Sequence, residues 1–477
     1  MTPDEKREPK ERKKWEFPDT YVLIAALLFL AVLATWVLPA GSYERVYDEA
    51  ADRDVVQAGT YAAVESNPAS IGDFFLAVPQ GLVKNASTVF FIFIIGGCFG
   101  VVNRTGALTG LISQTIRRSK GGKGSGERVV ILLLLLVFGL AGGVVGMAEE
   151  CMMFLPVLVM LSIGLGYDAV VGTAIMMFGV ACGYGCAPVN PFTVGLAQSI
   201  AGLPMFSGMW LRWILWACGF AWSIFYVLRY CRRIQADPSR SLVADCDYEE
   251  FQMDEAHMGI ALRKREIGVL VSFFGGIAVL VVMIILKGWY MTELTAYFFF
   301  LAILCGVVYG MGPNTMAKAF VEGMQTMTYP AILVGIATGI SVVLENGLVL
   351  DTIVHGLSQI LNYTPRILNG GLMMLVQSAI NFFIPSGTGQ AAVTMPLMAP
   401  LADVIDITRQ TSVLAFQLGD GCSNAIIPTG AMLMGSLAIS KVPYVAWVKF
   451  AGKWLVGLLA IGFAFCVFAV AINYGPF

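Results

Sequence analysis

The sequence predicts an all-α polytopic membrane protein made of two inverted repeats, each with a re-entrant hairpin and a broken transmembrane helix. Three observations predict it. Hydrophobic residues make up 57% of the chain and charged residues only 13%, about half the charge of an ordinary soluble domain. Helix-breaking residues occur twice in register. Gly179, Cys182, Pro188 and Gly195 in FGVACGYGCAPVNPFTVG return 240 positions later as Gly419, Cys422, Pro428 and Gly435 in LGDGCSNAIIPTGAMLMG. Pro156 answers Pro396 at that offset, and VVNRTGAL from Val101 answers VVLENGLV from Val342. Duplicated, apolar, helix-interrupted units build secondary carriers, with the substrate near the bilayer midplane between the repeats.

Taken in order, residues 1–16 are a charged tail. Residues 17–74 hold the first transmembrane helix and an acidic outer loop. The apolar run 21–40 is long enough for ~30 Å of hydrocarbon and carries no small-residue cleavage pattern. Lys and Arg gather at 6–14, 117–128, 229–233 and 263–265. The positive-inside rule puts these runs in the cytoplasm, which gives a multi-pass protein of the cytoplasmic (inner) membrane with its N-terminus inside.

With residues 128 and 229 both inside, the three apolar blocks between them close only if one fails to cross. Segment 129–164 is therefore a hairpin turning at 142–150, while 169–202 crosses outward through a break at 187–191 and 210–230 returns. These complete repeat 1, residues 75–230, and 231–266 is a cytoplasmic linker. Residues 267–477 hold scaffold helices and repeat 2, with hairpin 370–402 interrupted at 384–390 and broken helix 411–440 interrupted at 424–430. Nine crossings and two hairpins result, and five crossings separate equivalent points of the repeats, an odd number that inverts them. Gly146, Pro188, Pro191, Gly387, Gly389, Pro428 and Gly430 mark the breaks. Non-helical backbone at membrane depth needs protein or a water-filled cavity around it, so four paired interruptions predict one shared cavity.

Glu149 and Glu150 are the sharpest chemical signal. A carboxylate at membrane depth costs roughly 2.5–3.5 kcal/mol or more and marks a functional site; the structural alternative is that one of them caps the returning helix. Asp420, between Gly419 and Gly421, is the second acidic site, with a local helix cap as its alternative. Asn190, Thr193, Ser386, Thr388, Gln390, Ser423, Asn424 and Thr429 add neutral donors and acceptors at the breaks, where each also has the option of satisfying local backbone. Half-helix N-termini suit a carboxylate and free carbonyls suit a cation, which places a coupling-cation site for Na+ or H+ near Thr388, Asp420 and Asn424.

Other chemistries lack residues. Two His distant from the breaks give neither a metal cluster nor a catalytic constellation, despite the i,i+4 pair Cys182 and Cys186. Beyond the coupling ion, no cofactor or metal is expected, and no enzymatic activity. A formal net charge of −2 gives no nucleic-acid partner. GGKGSGER lacks phosphate-loop spacing, the glycosylation triplets at Asn85 and Asn103 lie at or inside spans, and His355 sits on an amphipathic, interfacial stretch.

From WEFPDTYVLI through LPAGSY to the last span, the chain resembles YfcC-type members of the anaerobic four-carbon-dicarboxylate carrier (DcuC-like) family, in the ion transporter superfamily. The most specific parts are GMAEECMMFLP with CAPVNPFTVG, and IPSGTGQAAVTMP with SNAIIPTGAML. The resemblance implies an elevator-type fold, in which hairpin tips and unwound helices build one site in a transport domain that slides against a scaffold. It also implies a homodimer. Dicarboxylate carriers of that superfamily typically have Ser-Asn-Thr at each tip. Here tip 2 has Ser386-Gly387-Thr388 and tip 1 has Ala148-Glu149-Glu150. Three carboxylates without a Lys or Arg point to a small charged metabolite, an amino acid and preferably a basic one, moved by exchange or ion coupling. A four-carbon dicarboxylate is the alternative reading, and a carrier-fold nutrient sensor a more distant one.

Overall fold

The computed structural model describes residues 20–48, 53–57, 59–120, 126–251, 262–287, 289 and 291–475. The tail at 1–16 and much of the basic turn after residue 120 lie outside them. Helix α1 (Thr20–Val37) is followed by four short strands, β1 (Gly41–Ser42), β2 (Arg45–Asp48), β3 (Arg53–Val56) and β4 (Ala62–Ala63). They pair antiparallel as β1 with β4 and β2 with β3. The outer loop thus carries two short ribbons on a chain that is otherwise helical. Strands of two to four residues are too short for an alternation of side chains to be read from sequence.

A capping box opens α2 (Ile71–Lys84): Ser70 Oγ accepts from Asp73 N, and the Asp73 carboxylate accepts from Ser70 N at 2.7 Å. Next come α3 (Ala86–Arg104), α4 (Ala107–Lys120) and the hairpin arms α5 (Gly126–Leu140) and α6 (Leu155–Gly164). The broken helix is α7 (Ala169–Gly185) with α8 (Leu196–Ile200), and α9 (Met209–Ala236) follows. The second half runs through α10 (Lys264–Lys287), α11 (Met291–Tyr309), α12 (Pro313–Thr326), α13 (Thr328–Asn346) and α14 (Leu350–Gln359). Its hairpin is α15 (Arg366–Asn381) with α16 (Gly387–Val404), its broken helix α17 (Arg409–Ser423) with α18 (Ala431–Ser440), and its last helix α19 (Tyr444–Ala471).

Among the described residues six helices are long and apolar enough to span a bilayer. One is Gly126–Val145, which the sequence reading takes as the first arm of a hairpin and which is long and apolar enough to cross.

Two packed groups organise these helices. In one, α2 lies on α13 and α12 lies on α3. A Cβ on Gly81 would strike the backbone of Gly335 and Gly339, and one on Gly323 would strike Gly96 and Gly100. Glycine is what lets these backbones touch. In the other group, α5 and α6 both pack on α7, while α15 and α16 both pack on α17. Helices α7 and α17 meet where Gly185 and Gly421 face each other, backbone against backbone. Phe178 of α7 stacks on Trp454 of α19 with ring centroids 4.0 Å apart.

The linker after α9 is docked. Asp168 caps α7 by accepting from Val171 N at 3.0 Å, and its other oxygen accepts from Tyr230 Oη (2.8 Å) and from Ser241 Oγ of the linker (2.7 Å). Tyr248 Oη donates to Lys441 O at 3.1 Å, beyond the end of α18.

Candidate functional site

Both hairpin tips and both helix breaks border one cavity of about 170 Å³. Tip 1 begins as α5 widens into a π turn, Ala141–Val145, and reverses at Gly146, whose φ of +83° is a left-handed conformation that favours glycine. The space behind also demands glycine, because a Cβ at 146 would lie 2.7 Å from Asn190 Oδ1. The chain leaves the tip as a 3-10 helix, Glu149–Phe154. Both Glu149 and Glu150 line the cavity. Glu150 is buried and also accepts from Ala148 N at 2.8 Å, a local backbone contact of the kind the capping alternative expects.

Tip 2 carries no charge. Ser386 caps α16 by accepting from Gly389 N at 3.3 Å, and Pro385, Ser386, Gly387 and Thr388 stand on the wall. The two breaks meet the cavity differently. At break 1, Asn190 opens a π turn over Pro191–Gly195 by accepting from Phe192 N at 2.9 Å, and neither Pro188 nor Pro191 reaches the wall. At break 2, Asn424, Gly430, Ala431 and Met432 are on the wall. Helix α18 starts there without a side-chain cap, so its first-turn N–H groups carry the helix's partial positive charge at the cavity.

Several residues singled out in the sequence stand behind the wall. Thr429 Oγ1 donates to Phe382 O at 2.7 Å, tying break 2 to the stem of tip 2. Ser423 Oγ and Asn424 Oδ1 both accept from Asn381 Nδ2, at 2.7 and 2.9 Å. Gln390 Nε2 donates to Gln377 O at 2.9 Å. Pro428 and Gly389 shape the turns without facing the cavity.

Asp420 is also one layer back, fully buried behind Gly387 and Tyr184. A Cβ on Gly387 would lie 2.9 Å from Asp420 Oδ2, 2.9 Å from Tyr184 Oη and 2.8 Å from Thr193 Cγ2. Neither Asp420 carboxylate oxygen nor Thr193 Oγ1 has a hydrogen-bond partner among the described residues, and Asn381 Oδ1, Gln390 Oε1 and Gln417 Oε1 share that state. Buried polar atoms are nearly always paired. The unpaired Asp420 carboxylate, with Tyr184 Oη also beside Gly387, is suited to a proton or to one contact with a small hard cation.

Among the described residues no Lys or Arg lines the cavity. Arg212, fully buried in the first turn of α9, supports break 1 from outside the wall. Its Nε donates to Pro188 O at 3.1 Å and its Nη2 to Ser207 O at 2.7 Å. At break 2 the same work falls to α19, where Trp447 Nε1 donates to Ala425 O and Tyr444 Oη to Ile426 O, each at 2.8 Å. Arg212 and Trp447 are each the fourth residue of the long helix that follows their break. Arg212 was detectable in the sequence, as an arginine inside an apolar span. Asn85, Thr88, Tyr184, Trp289 and Met291 complete the wall and were missed. Asn85, at the bend between α2 and α3, donates from Nδ2 to Thr338 Oγ1 at 3.1 Å.

The model of the DcuC family, C4-dicarboxylate anaerobic carrier, matches residues 17–471. The chain is 32% identical to "Putative basic amino acid antiporter YfcC" of Escherichia coli K12, over 95% of this chain and 96% of that protein. It is 28% identical to an uncharacterised protein of Haemophilus influenzae, over 97% and 99% of the two chains. Among solved structures, the YdaH transporter of Alcanivorax borkumensis aligns with a TM-score of 0.44 at 15% identity, covering 96% of this chain and 99% of that one. MtrF of Neisseria gonorrhoeae, whose structure is described with a class of antimetabolite efflux pumps, aligns with a TM-score of 0.41 at 17% identity over 97% of each.

Proposed function

We propose a function from one premise: the chain belongs to the DcuC family of C4-dicarboxylate anaerobic carriers and is an integral membrane transporter. Our reading is a secondary carrier for an amino acid with a cationic side chain, working by exchange or ion coupling. The observation that carries it is the charge of the wall, with Glu149 and Glu150 on it and no Lys or Arg. An uncompensated buried charge is strongly destabilising, so carboxylates without a cationic side chain beside them on the wall favour a ligand that brings the cation. Opposite charge for an α-carboxylate is available at the uncapped start of α18 and at the first turn of α16. An amino acid with a basic side chain meets both. The printed name of the Escherichia coli relative, a basic amino acid antiporter, agrees with this reading.

The family's name favours a second reading, a four-carbon dicarboxylate. A dianion would face two carboxylates and rely on helix ends and co-bound cations alone. We assign Asp420, with Thr193 beside it, to the coupling Na+ or H+ rather than to the substrate, because its unpaired carboxylate lies behind the wall. The repeats are read as inverted, the N-terminus as cytoplasmic and the motion as an elevator. The α2–α3–α12–α13 group then serves as scaffold and the hairpins with their broken helices as the moving body. We retain the homodimer as part of this proposal.

Calorimetric titration of the purified protein with arginine, ornithine and succinate tests the substrate. Binding of the basic amino acids, lost in Glu149→Gln or Glu150→Gln with the fold intact, is the expected result. Tight succinate binding with no response to either basic amino acid overturns the reading in favour of the dicarboxylate.

A further inference from the structure

We propose that a phospholipid with an ethanolamine headgroup is seated in a cleft between α4, hairpin 1 and α10, its acyl chain packed against the back of tip 1. The cleft, about 380 Å³, is lined by apolar residues, among them Leu108 and Leu111 of α4, Leu134 of α5, Cys151 behind the tip and Phe273 and Ile277 of α10. Val137 and Phe274, two more of its lining residues, are exposed on the protein surface. Water gains nothing in an apolar space, which stays dry or takes an apolar guest. In a membrane-spanning chain that guest is lipid hydrocarbon.

The end of α3, the start of α4 and the first turn of α10 carry a polar cup of about 360 Å³, lined by Asn103, Arg104, Thr105, Thr109 and Glu266 among others. Glu266, Phe273 and Ile277, spaced by seven and four residues, share one face of α10, so the cup and the cleft lie along one wall. Residue Leu262, leading into α10, closes on α4, where a Cβ on Gly110 would sit 2.5 Å from Leu262 Cδ2. Arg104 has no carboxylate partner among the described residues. Glu266 accepts from Arg263 N at 2.9 Å through one oxygen only.

A guanidinium beside a carboxylate complements a headgroup with both a phosphate and an amine. Choline offers no N–H to Glu266, and glycerol offers no cation. The guest touches Met147 and Cys151, which flank Glu149 and Glu150 in sequence, so it also backs the tip that bears the charge.

The test uses the full chain, delipidated in maltoside detergent. Dioleoyl-phosphatidylethanolamine, -phosphatidylcholine and -phosphatidylglycerol are titrated separately, with thermal unfolding and native mass spectrometry as readouts. The ethanolamine lipid is expected to be retained about tenfold more tightly than the other two, one charge-assisted contact's worth. Arg104→Gln and Glu266→Gln, both at a surface cup, are expected to remove the preference. Leu134→Trp, which fills the cleft, is expected to remove retention of all three. Equal retention of the three lipids by the unmodified protein overturns the proposal. So does a preference that survives both cup substitutions, or retention unchanged by Leu134→Trp.

Discussion

Tip 1 and tip 2 occupy matching places in the two halves, yet one is acidic and the other neutral. At tip 1 a π turn, a left-handed glycine and a 3-10 helix deliver Glu149 and Glu150 to the cavity. At tip 2 the chain passes through Pro385 into a helix capped by Ser386, and Thr388 is the polar residue it presents after the cap. The supports behind the breaks diverge likewise, a guanidinium at break 1 and an indole and a phenol at break 2. The backbone opens at matching places in the two halves, because that depends on Pro and Gly. The chemistry is free to differ, because any donor of suitable reach satisfies an exposed carbonyl. An asymmetric ligand, cationic at one end and anionic at the other, fits a cavity whose two sides differ in this way.

The strongest attempt to break this comparison neutralises one tip at a time. Glu149→Gln should weaken arginine binding by roughly 10–150-fold, the range for a charge-assisted hydrogen bond. Calorimetry that finds tip 1 and tip 2 substitutions equally costly would dissolve the asymmetry. Next in size is the contact that joins the halves. Gly185→Val would drive a side chain into Cys422 and Gly421 and should destabilise by about 1–3 kcal/mol, read as a lower unfolding midpoint in detergent. The supports come third. Trp447→Phe leaves Ala425 O without its donor and should cost about 1–3 kcal/mol, with Arg212→Gln comparable if the two residues do equivalent work. Asp420→Asn should leave arginine affinity within about threefold, well under one charge-assisted bond, while removing its dependence on Na+ or pH. At the neutral tip, Thr388→Val should change arginine affinity by no more than about fivefold, a neutral hydrogen bond's worth.

The breaks were legible because Pro and Gly act locally, at Gly146 and Gly430 as at Pro188 and Pro428, and because the two prolines stand in register in both halves. The acidic tip was legible because two carboxylates inside an apolar block have no innocuous place in a membrane. Helices α2 and α12 were not read as elements. Each has 14 residues and an amphipathic pattern, too short and too polar to register as a span. The outer ribbons escaped for lack of length. At the site, Asn85, Trp289 and Met291 were hidden because they sit at helix ends whose meeting depends on how the α2–α3 and α11 groups pack, and no local pattern encodes that. Asp420 was found, but its depth was not: the intervening wall is Gly387, a residue from the other side of the hairpin.

The linker's grip on α7 has a consequence for how the chain is made. Asp168 is matched by Tyr230 and Ser241, which follow it by 62 and 73 residues. At ~5–20 residues per second, synthesis leaves that carboxylate without them for roughly 3–15 s. Broken helix 1 therefore enters the bilayer with its cap unfinished, and the first half is sealed only when the linker emerges. Cutting the gene after residue 236 would leave Asp168 with Tyr230 but without Ser241, whereas a cut after 251 would release a first half that carries its own closure.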